Sequence, residues 1–331
     1  MEKFFKSLMK AIIIILVIAI IAIIFVGNNL YEYALKAEVK RTDYVNEFLA
    51  GNWIYDNTII EDGSQEFSDI IKNDEKQELL KWAEKLYEKV SLESYDNLKL
   101  NGYFYKNRSN SNTYVIVVHG YRSQALDMLK STKLFYDYGY NVIAVDCRGH
   151  GESEGKYIGM GWNDRKDIIS WINYINSTNK NAKVVLYGVS MGASAVMMAS
   201  GENLTDNVKC IIEDSGYTSA KEILEYQLKI TYNLPSIPFM NAAEMITTIR
   251  AGYRISDASA IKQVEKSKTP TLFIHGSQDD FVPYEMVNRL YVTAKCEKKL
   301  YVVSGARHVE GSKIAGQAYW DEVFSFINKY L

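Results

Sequence analysis

Histidine and proline are scarce in this chain, four of each in 331 residues, and cysteine is scarcer still at three. Cys147, Cys210 and Cys296 are odd in number and far apart, which excludes a disulfide framework and a CxxC metal site. No H-E-x-x-H pattern occurs, so neither a metal nor another cofactor is expected. Basic residues are not in excess: 38 Lys and Arg stand against 40 Asp and Glu, for a net charge of −2. Binding nucleic acid requires cations to neutralise phosphates, so no nucleic-acid partner is expected. An internal repeat is absent, and so is any Gly/Ser linker beyond residue 30. With 47% hydrophobic and 24% charged residues, wholesale disorder and low complexity are excluded as well. What is present beyond the first thirty residues, roughly 300 of them, suffices for one large domain. A chain of that size buries about 75% of its unfolded surface.

One apolar run is long. Ala11 to Val26 is unbroken, and Gly27 extends it to 17 residues. At 1.5 Å per residue this makes about 25 Å of helix, the short end of what crosses a bilayer. A cleaved secretory signal is one alternative, but its apolar stretch is shorter, and here Gly27-Asn28-Asn29 runs into aromatic and charged residues with no small-x-small site. A core helix is the other, but it would carry polar residues on some face. Residues 1–29 are therefore read as an uncleaved membrane anchor. Lys3, Lys6 and Lys10 favour a cytoplasmic amino end, partly offset by Lys36, Lys40 and Arg41 on the far side. The expected placement is single-pass in the cell membrane, with the rest of the chain outside.

Strand and helix signals alternate after the anchor. The spacing predicts helices over Leu30–Phe48 and Asp74–Val90, forming a helical extension over residues 30–90. An antiparallel hairpin is expected over Ser91–Tyr105, turning at Asp96-Asn97. Six short β-branched runs follow: Tyr114–Val118, Asn141–Val145, Lys183–Tyr187, Lys209–Ile212, Thr271–Ile274 and Leu300–Val303. Runs apolar on both faces imply strands covered by helices on both sides, hence a largely parallel sheet. Nearly sixty residues, Glu213 to Pro270, interrupt the rhythm and hold Pro235 and Pro238. Ala220–Tyr232 and Met240–Tyr253 read there as a helical pair covering the strands' carboxyl ends. Their apolar residues, Met245 among them, are expected partly to line a pocket above Ser190.

The strand KVVLY runs into Gly188-Val189-Ser190-Met191-Gly192, and a helix begins near Gly192. This is G-x-S-x-G in its strand–turn–helix context, where the sharp turn lifts a serine hydroxyl out of the sheet. An ordinary serine in a glycine-rich turn is the plain alternative. A serine nucleophile needs a base, and the base an orienting acid, met in the order Ser, acid, His. Only His275 and His308 follow Ser190, and His308 lies in a loop able to return to it. Asp279 is the favoured acid, with Asp280 and Asp214 as rivals. Two backbone N–H groups must also hold an oxyanion. Met191 and Tyr121, the latter in the loop His119-Gly120-Tyr121-Arg122, are the candidates. His119, Arg148 and His150 read as structural, and Cys147 as a packed strand-end residue. Gly149 to Gly155 misses the dinucleotide fingerprint by spacing, and Gly151 to Tyr157 misses a P-loop, lacking both its spacing and its Ser/Thr.

Five segments, VVHGY (117–121), DCRGHGESEG (146–155), GVSMG (188–192), HGSQDDFVP (275–283) and ARH (306–308), together resemble the α/β-hydrolase superfamily. The resemblance points to its esterase/serine-aminopeptidase-like branch, and especially to membrane-anchored hydrolases of low-GC Gram-positive bacteria. It covers about residues 90–331 and rests on all five motifs falling in order. It implies an α/β-hydrolase fold with Ser190, Asp279 and His308 as a triad. It also implies Tyr121 and Met191 as oxyanion donors and a cap over residues 217–256. Arg307 departs from the glycine that many relatives carry before the histidine, which bears on the geometry of that loop.

The expected molecule is thus an anchor at 1–29, an extension at 30–90 and a hydrolase domain at 91–331. Its expected activity is cleavage of a carboxylic ester through an acyl-enzyme. An amidase or peptidase with the same triad, and a catalytically silent interaction module on the same fold, are the alternatives. Expected partners are a small-molecule or acylated substrate and, through the first helix, a membrane. The sequence leaves the oligomeric state open.

Overall fold

The computed structural model describes residues 2–37 and 73–331. Helix α1 (Glu2–Ala34) comes first, then α2 (Asn73–Glu84) and a hairpin of β1 (Tyr87–Glu93) and β2 (Lys99–Tyr105). The alternating part follows as β3 (Thr113–Val118), α3 (Leu129–Asp137), β4 (Asn141–Val145), α4 (Asp164–Thr178), β5 (Lys183–Val189), α5 (Met191–Ser200) and β6 (Val208–Asp214). The cap helices α6 (Ala220–Tyr232) and α7 (Ser236–Ala251) come next. The chain closes with α8 (Ala260–Val264), β7 (Thr271–Gly276), α9 (Glu285–Thr293), β8 (Lys298–Val303), α10 (Gly311–Ala315) and α11 (Gln317–Tyr330).

The eight strands form one sheet in the order β1-β2-β4-β3-β5-β6-β7-β8. Strand β2 pairs antiparallel with β1 and β4, and every later pairing is parallel. Alternate side chains supply two cores. Ile116, Val118, Val184 and Leu186 pack on one face, Val115, Val117, Val185 and Tyr187 on the other, all buried. Helix α5 is buried along its whole length, which its small residues Gly192, Ala193, Ser194 and Ala195 permit.

Two expectations change at the amino end of the domain. The helix predicted over Asp74–Val90 stops at Glu84, and Tyr87–Val90 belong to β1. Tyr87 packs edge-on against Tyr103 and Tyr105 across the strands, at ring distances of 4.9 and 5.9 Å. Such cross-strand aromatic pairs outweigh a local helical period. Of the helix predicted over Leu30–Phe48, the part to Ala34 is helical and residues 38–48 lie outside the described residues.

Helix α1 is exposed along its apolar run and is long and apolar enough to cross a membrane. Its carboxyl end is tied to the body. Ile158 N–H donates to Leu35 O at 2.6 Å, and Lys36 pairs with Tyr157 in an isolated bridge. On α7, Arg250 pairs with Glu32 and donates to Asn28 Oδ1 at 3.0 Å. Gly27 is what lets α1 and α7 touch: a Cβ there would lie 2.6 Å from Ala242 Cβ.

Candidate active site

The loops after β3, β5, β7 and β8 converge at one end of the sheet, where a parallel sheet presents its carboxyl ends. Strand β5 ends at Val189 and α5 starts at Met191, which leaves Ser190 to make the whole turn. Its φ of 55° is strained for a residue with a Cβ. Ser190 N–H is held by Asp214 O at 2.8 Å, and Ser190 O accepts from Ser194 N–H at 3.0 Å. The flanking glycines are steric requirements. A Cβ on Gly188 would collide with Gly192 O, and one on Gly192 with Val118 O.

His308 Nε2 lies 2.9 Å from Ser190 Oγ, and His308 Nδ1 lies 2.7 Å from Asp279 Oδ2. The tautomer that satisfies both contacts has its proton on Nδ1, donated to Asp279, with Nε2 left to accept from the serine. Asp279 is itself fixed: Oδ1 accepts from Phe281 N–H at 3.0 Å and Val282 N–H at 2.8 Å. Burial alone would raise its pKa. The facing His308 and His275 outweigh that and hold the carboxyl well below the usual range. All three side chains are buried, and Phe281 packs against the His308 ring at 4.9 Å.

The rival acids are engaged elsewhere. Asp214 accepts from Tyr319 Oη–H at 2.7 Å and Ser215 Oγ–H at 2.8 Å, and burial pushes its pKa up. Asp280 is exposed and pairs with Arg307 at 3.2 Å. That pairing gives the arginine beside His308 a place outside the site.

Gly120 lies against the serine: a Cβ there would stand 3.4 Å from Ser190 Cβ and 3.9 Å from Oγ. Tyr121 follows in the same loop. Met191 is the first residue of α5, whose N–H has no acceptor within the helix. Two buried histidines brace this loop. His119 Nδ1–H donates to Gly120 O at 2.7 Å, while Nε2 accepts from Cys147 N–H at 3.0 Å. His150 Nε2 accepts from Arg122 N–H at 3.2 Å, and its Nδ1–H donates to Arg148 O at 3.0 Å. Burial keeps both neutral, lowering the pKa of His119 to about 4 and that of His150 to about 3. His150 therefore does more than pack beside the site; it fixes the residue next to Tyr121. Arg148 is buried and paired with Asp167 at 2.7 Å and Asp96 at 2.9 Å.

A cavity of about 140 Å³ opens on Ser190. Its walls include Ile223, Leu224 and Leu228 from α6, Met240 and Ala243 from α7, and Phe281 and Val282 beside the acid. Met245, expected in this wall, is absent from it and 47% exposed; Ile230 and Ile249 are exposed as well. They lie on the outer sides of α6 and α7, one helical face away from the residues that point inward. Part of the wall comes from outside the helical pair that the sequence places over the pocket. Leu30, Tyr31, Tyr33, Ala34 and Leu35 line the cavity from the end of α1. Tyr121 Oη–H donates to Ala34 O at 2.8 Å, and Arg122 donates to Tyr33 O. The only trace of this in the sequence is the i, i+4 pair Tyr31 and Leu35, just past the apolar run.

His275, to which the sequence assigns no role, is the penultimate residue of β7, with Nε2 at 3.1 Å from Asp279 Oδ2 and 2.9 Å from Val282 O. It clamps the turn that carries Asp279. From the cap, Tyr226 Oη–H donates to Asp280 O and Gln227 Nε2–H to Phe281 O, each at 2.9 Å.

A family of hydrolases described as serine aminopeptidase, S33, matches residues 109–224. The chain is 32% identical over 210 residues to the uncharacterized protein YqkD of Bacillus subtilis, covering 63% of this chain and 68% of that one. It is 25% identical over 244 residues to an uncharacterized membrane protein of Saccharomyces cerevisiae, YNL320W, covering 73% and 79% respectively. Among solved structures it resembles the Pyrococcus furiosus esterase Pf2001, at 23% identity and a TM-score of 0.62, over 78% of this chain and 96% of that one. It also resembles an acylaminoacyl peptidase of Pyrococcus horikoshii, at 20% identity and a TM-score of 0.54, over 74% of this chain and 42% of that one. At these identities the solved structures share a fold with it.

Proposed function

Because this chain belongs to the α/β-hydrolase superfamily, in its esterase and serine-aminopeptidase-like branch, we propose that it is a serine hydrolase cleaving a carboxylic ester through Ser190, His308 and Asp279. The observation that carries the reading is the unbroken hydrogen-bonded line from Ser190 Oγ through His308 to Asp279. His308 Nε2 takes the serine proton as Oγ bonds to the acyl carbon. The Tyr121 and Met191 N–H groups hold the oxyanion. As the C–O bond to the alcohol breaks, His308 returns the proton to the leaving oxygen. Water, activated by the same histidine, then releases the acid and restores Ser190. Asp279 keeps the imidazole in the right tautomer and stabilises its protonated form. No cofactor enters this sequence of steps.

The cavity supports an apolar acyl group over a peptide amino terminus. A free ammonium needs a carboxylate to receive it, and no Asp or Glu lines the cavity among the described residues. We assign α1 as a single-pass anchor with its lysine-rich end cytoplasmic and the catalytic domain outside. The test is hydrolysis of matched p-nitrophenyl esters and aminoacyl p-nitroanilides by the full-length enzyme and its Ser190→Ala variant. Ester cleavage lost in the variant supports the reading. Cleavage of aminoacyl anilides alone would replace it with a peptidase, and no cleavage of either would leave an interaction module.

A further inference from the structure

We propose that α7 is an interfacial helix whose exposed stripe sits in the bilayer beside α1, so that the pocket takes acyl esters of membrane-dissolved amphiphiles directly from the lipid. This rests on the anchored-hydrolase reading above and adds to it a surface and a substrate class.

The depth of α7 follows from what it touches. Ile246 and Ile249 share a groove with Ile21, Ile24 and Phe25 of α1, and Arg250 and Asn28 line it too. Those three α1 residues belong to the apolar run, so a spanning α1 carries them in hydrocarbon, and whatever lies level with them is there too. The outward stripe of α7 suits that setting. Met245 is 47% exposed and Ile249 75%, and Ile237, at a non-helical kink in the first turn, is 70% exposed. Asn241 and Thr248 continue the same stripe, so it contains no ionisable side chain. Thr248 Oγ1–H donates to Glu244 O at 2.7 Å, which satisfies the hydroxyl within the helix, as hydrocarbon demands. Glu244 accepts from Ser256 N–H at 3.2 Å, and Arg250 pairs with Glu32. An apolar stripe of this kind in water is a liability for aggregation; against a membrane it is a binding surface.

The pocket lies at the corresponding level. From Val26, the last residue of the apolar run proper, to Leu30, the first α1 residue in the pocket wall, is about 6 Å of helix. The polar layer of a bilayer is about 5–8 Å thick on each side of its hydrocarbon. Leu30 thus stands among the headgroups, the depth at which the ester of a membrane-dissolved amphiphile lies. The first carbons of its acyl chain would fill the cavity, and the remainder would stay in lipid.

The experiment uses full-length enzyme in phosphatidylcholine vesicles carrying a nitroxide high on the acyl chain. A fluorophore is placed in turn at Phe25→Cys, Ile249→Cys and Val292→Cys, the last 76% exposed on α9, with Cys296→Ser throughout. Quenching at positions 25 and 249 but not at 292 is expected. Quenching at 25 without 249 overturns the interfacial assignment, and none at 25 overturns the anchor beneath it. In parallel, Ile249→Asp should lower kcat/KM about tenfold for p-nitrophenyl decanoate dissolved in the vesicles, while soluble p-nitrophenyl acetate is unaffected. An equal loss on both esters, or on neither, overturns loading from the membrane. A wild-type enzyme inert to both esters overturns the hydrolase reading, and the quenching pattern still decides the surface.

Discussion

Lengthening the acyl chain of a soluble ester probes the cavity directly. Each methylene moved from water into an apolar wall contributes about 0.8 kcal/mol, or about fourfold in kcat/KM. Four methylenes separate acetate from hexanoate, so the ceiling on the rise is about 3 kcal/mol, roughly 200-fold. The cavity of about 140 Å³ sets where the rise should end. An apolar space of about 150 Å³ holds a benzene molecule, six carbons, so the gain should level off near hexanoate. The assay is kcat/KM for p-nitrophenyl acetate, butyrate, hexanoate and octanoate with the detergent-solubilised enzyme. Leu224 lines the cavity, and Leu224→Gln places an amide there at similar volume. It should lower the hexanoate rate at least fourfold more than the acetate rate, about the worth of one methylene. Met245 lies outside the cavity, so Met245→Gln should reproduce the wild-type profile. A profile that falls from acetate onward would refute an apolar acyl pocket. Flattening by Met245→Gln would show that the cap is placed differently.

Three further outcomes are expected. Asp279→Asn should lower kcat by about 10³–10⁴ by disturbing the histidine's orientation, while Asp214→Asn retains most activity; the opposite pattern in steady-state assays would move the acid to Asp214. A chain beginning at Gly27 keeps Leu30, Tyr31 and Leu35 in the wall, whereas one beginning at Val39 loses them along with the hydrogen bonds to Tyr121 and Arg122. Its kcat/KM on butyrate should fall at least about tenfold below that of the longer chain, and equal rates would make the α1 wall dispensable. Finally, burial lowers the His119 pKa from 6.5 to about 4, so between those values the unfolded chain binds a proton that the folded one refuses. The associated stability is complete above pH 6.5 and is lost as pH falls toward 4, about 3 kcal/mol in all. Urea unfolding of wild type against His119→Gln should show that difference shrinking across the window, and a constant difference would mean that His119 is not held neutral.

The sheet could be read from the sequence because its strands are apolar on both faces, and a run such as Tyr114–Val118 has no helical alternative of useful length. The candidate residues were legible for a different reason. Sharp turns need glycine, so Gly188 and Gly192 mark Ser190, and with so few histidines the search for a base ended at His308. Spacing failed where tertiary contact decides. Tyr87 to Val90 fit a helical period, yet their partners are the rings of β2. Met245 and Met240 look equivalent in the sequence, and only the seating of α7 on α1 and α6 turns one outward and the other into the cavity. The role of Leu30 to Leu35 was hidden because nothing local says that a long apolar helix will end inside a pocket wall. The second histidine on Asp279 was hidden too, since His275 reads as the end of a strand.

Labelling of the full-length enzyme with a fluorophosphonate probe, located by peptide mass spectrometry, addresses the nucleophile itself. A single phosphonylated residue at Ser190 is expected, absent in Ser190→Ala and strongly slowed in His308→Ala, since only a serine activated by its histidine reacts at a useful rate. An unlabelled wild-type protein, or labelling at Ser190 that proceeds equally fast without His308, would contradict a serine hydrolase built on this trio.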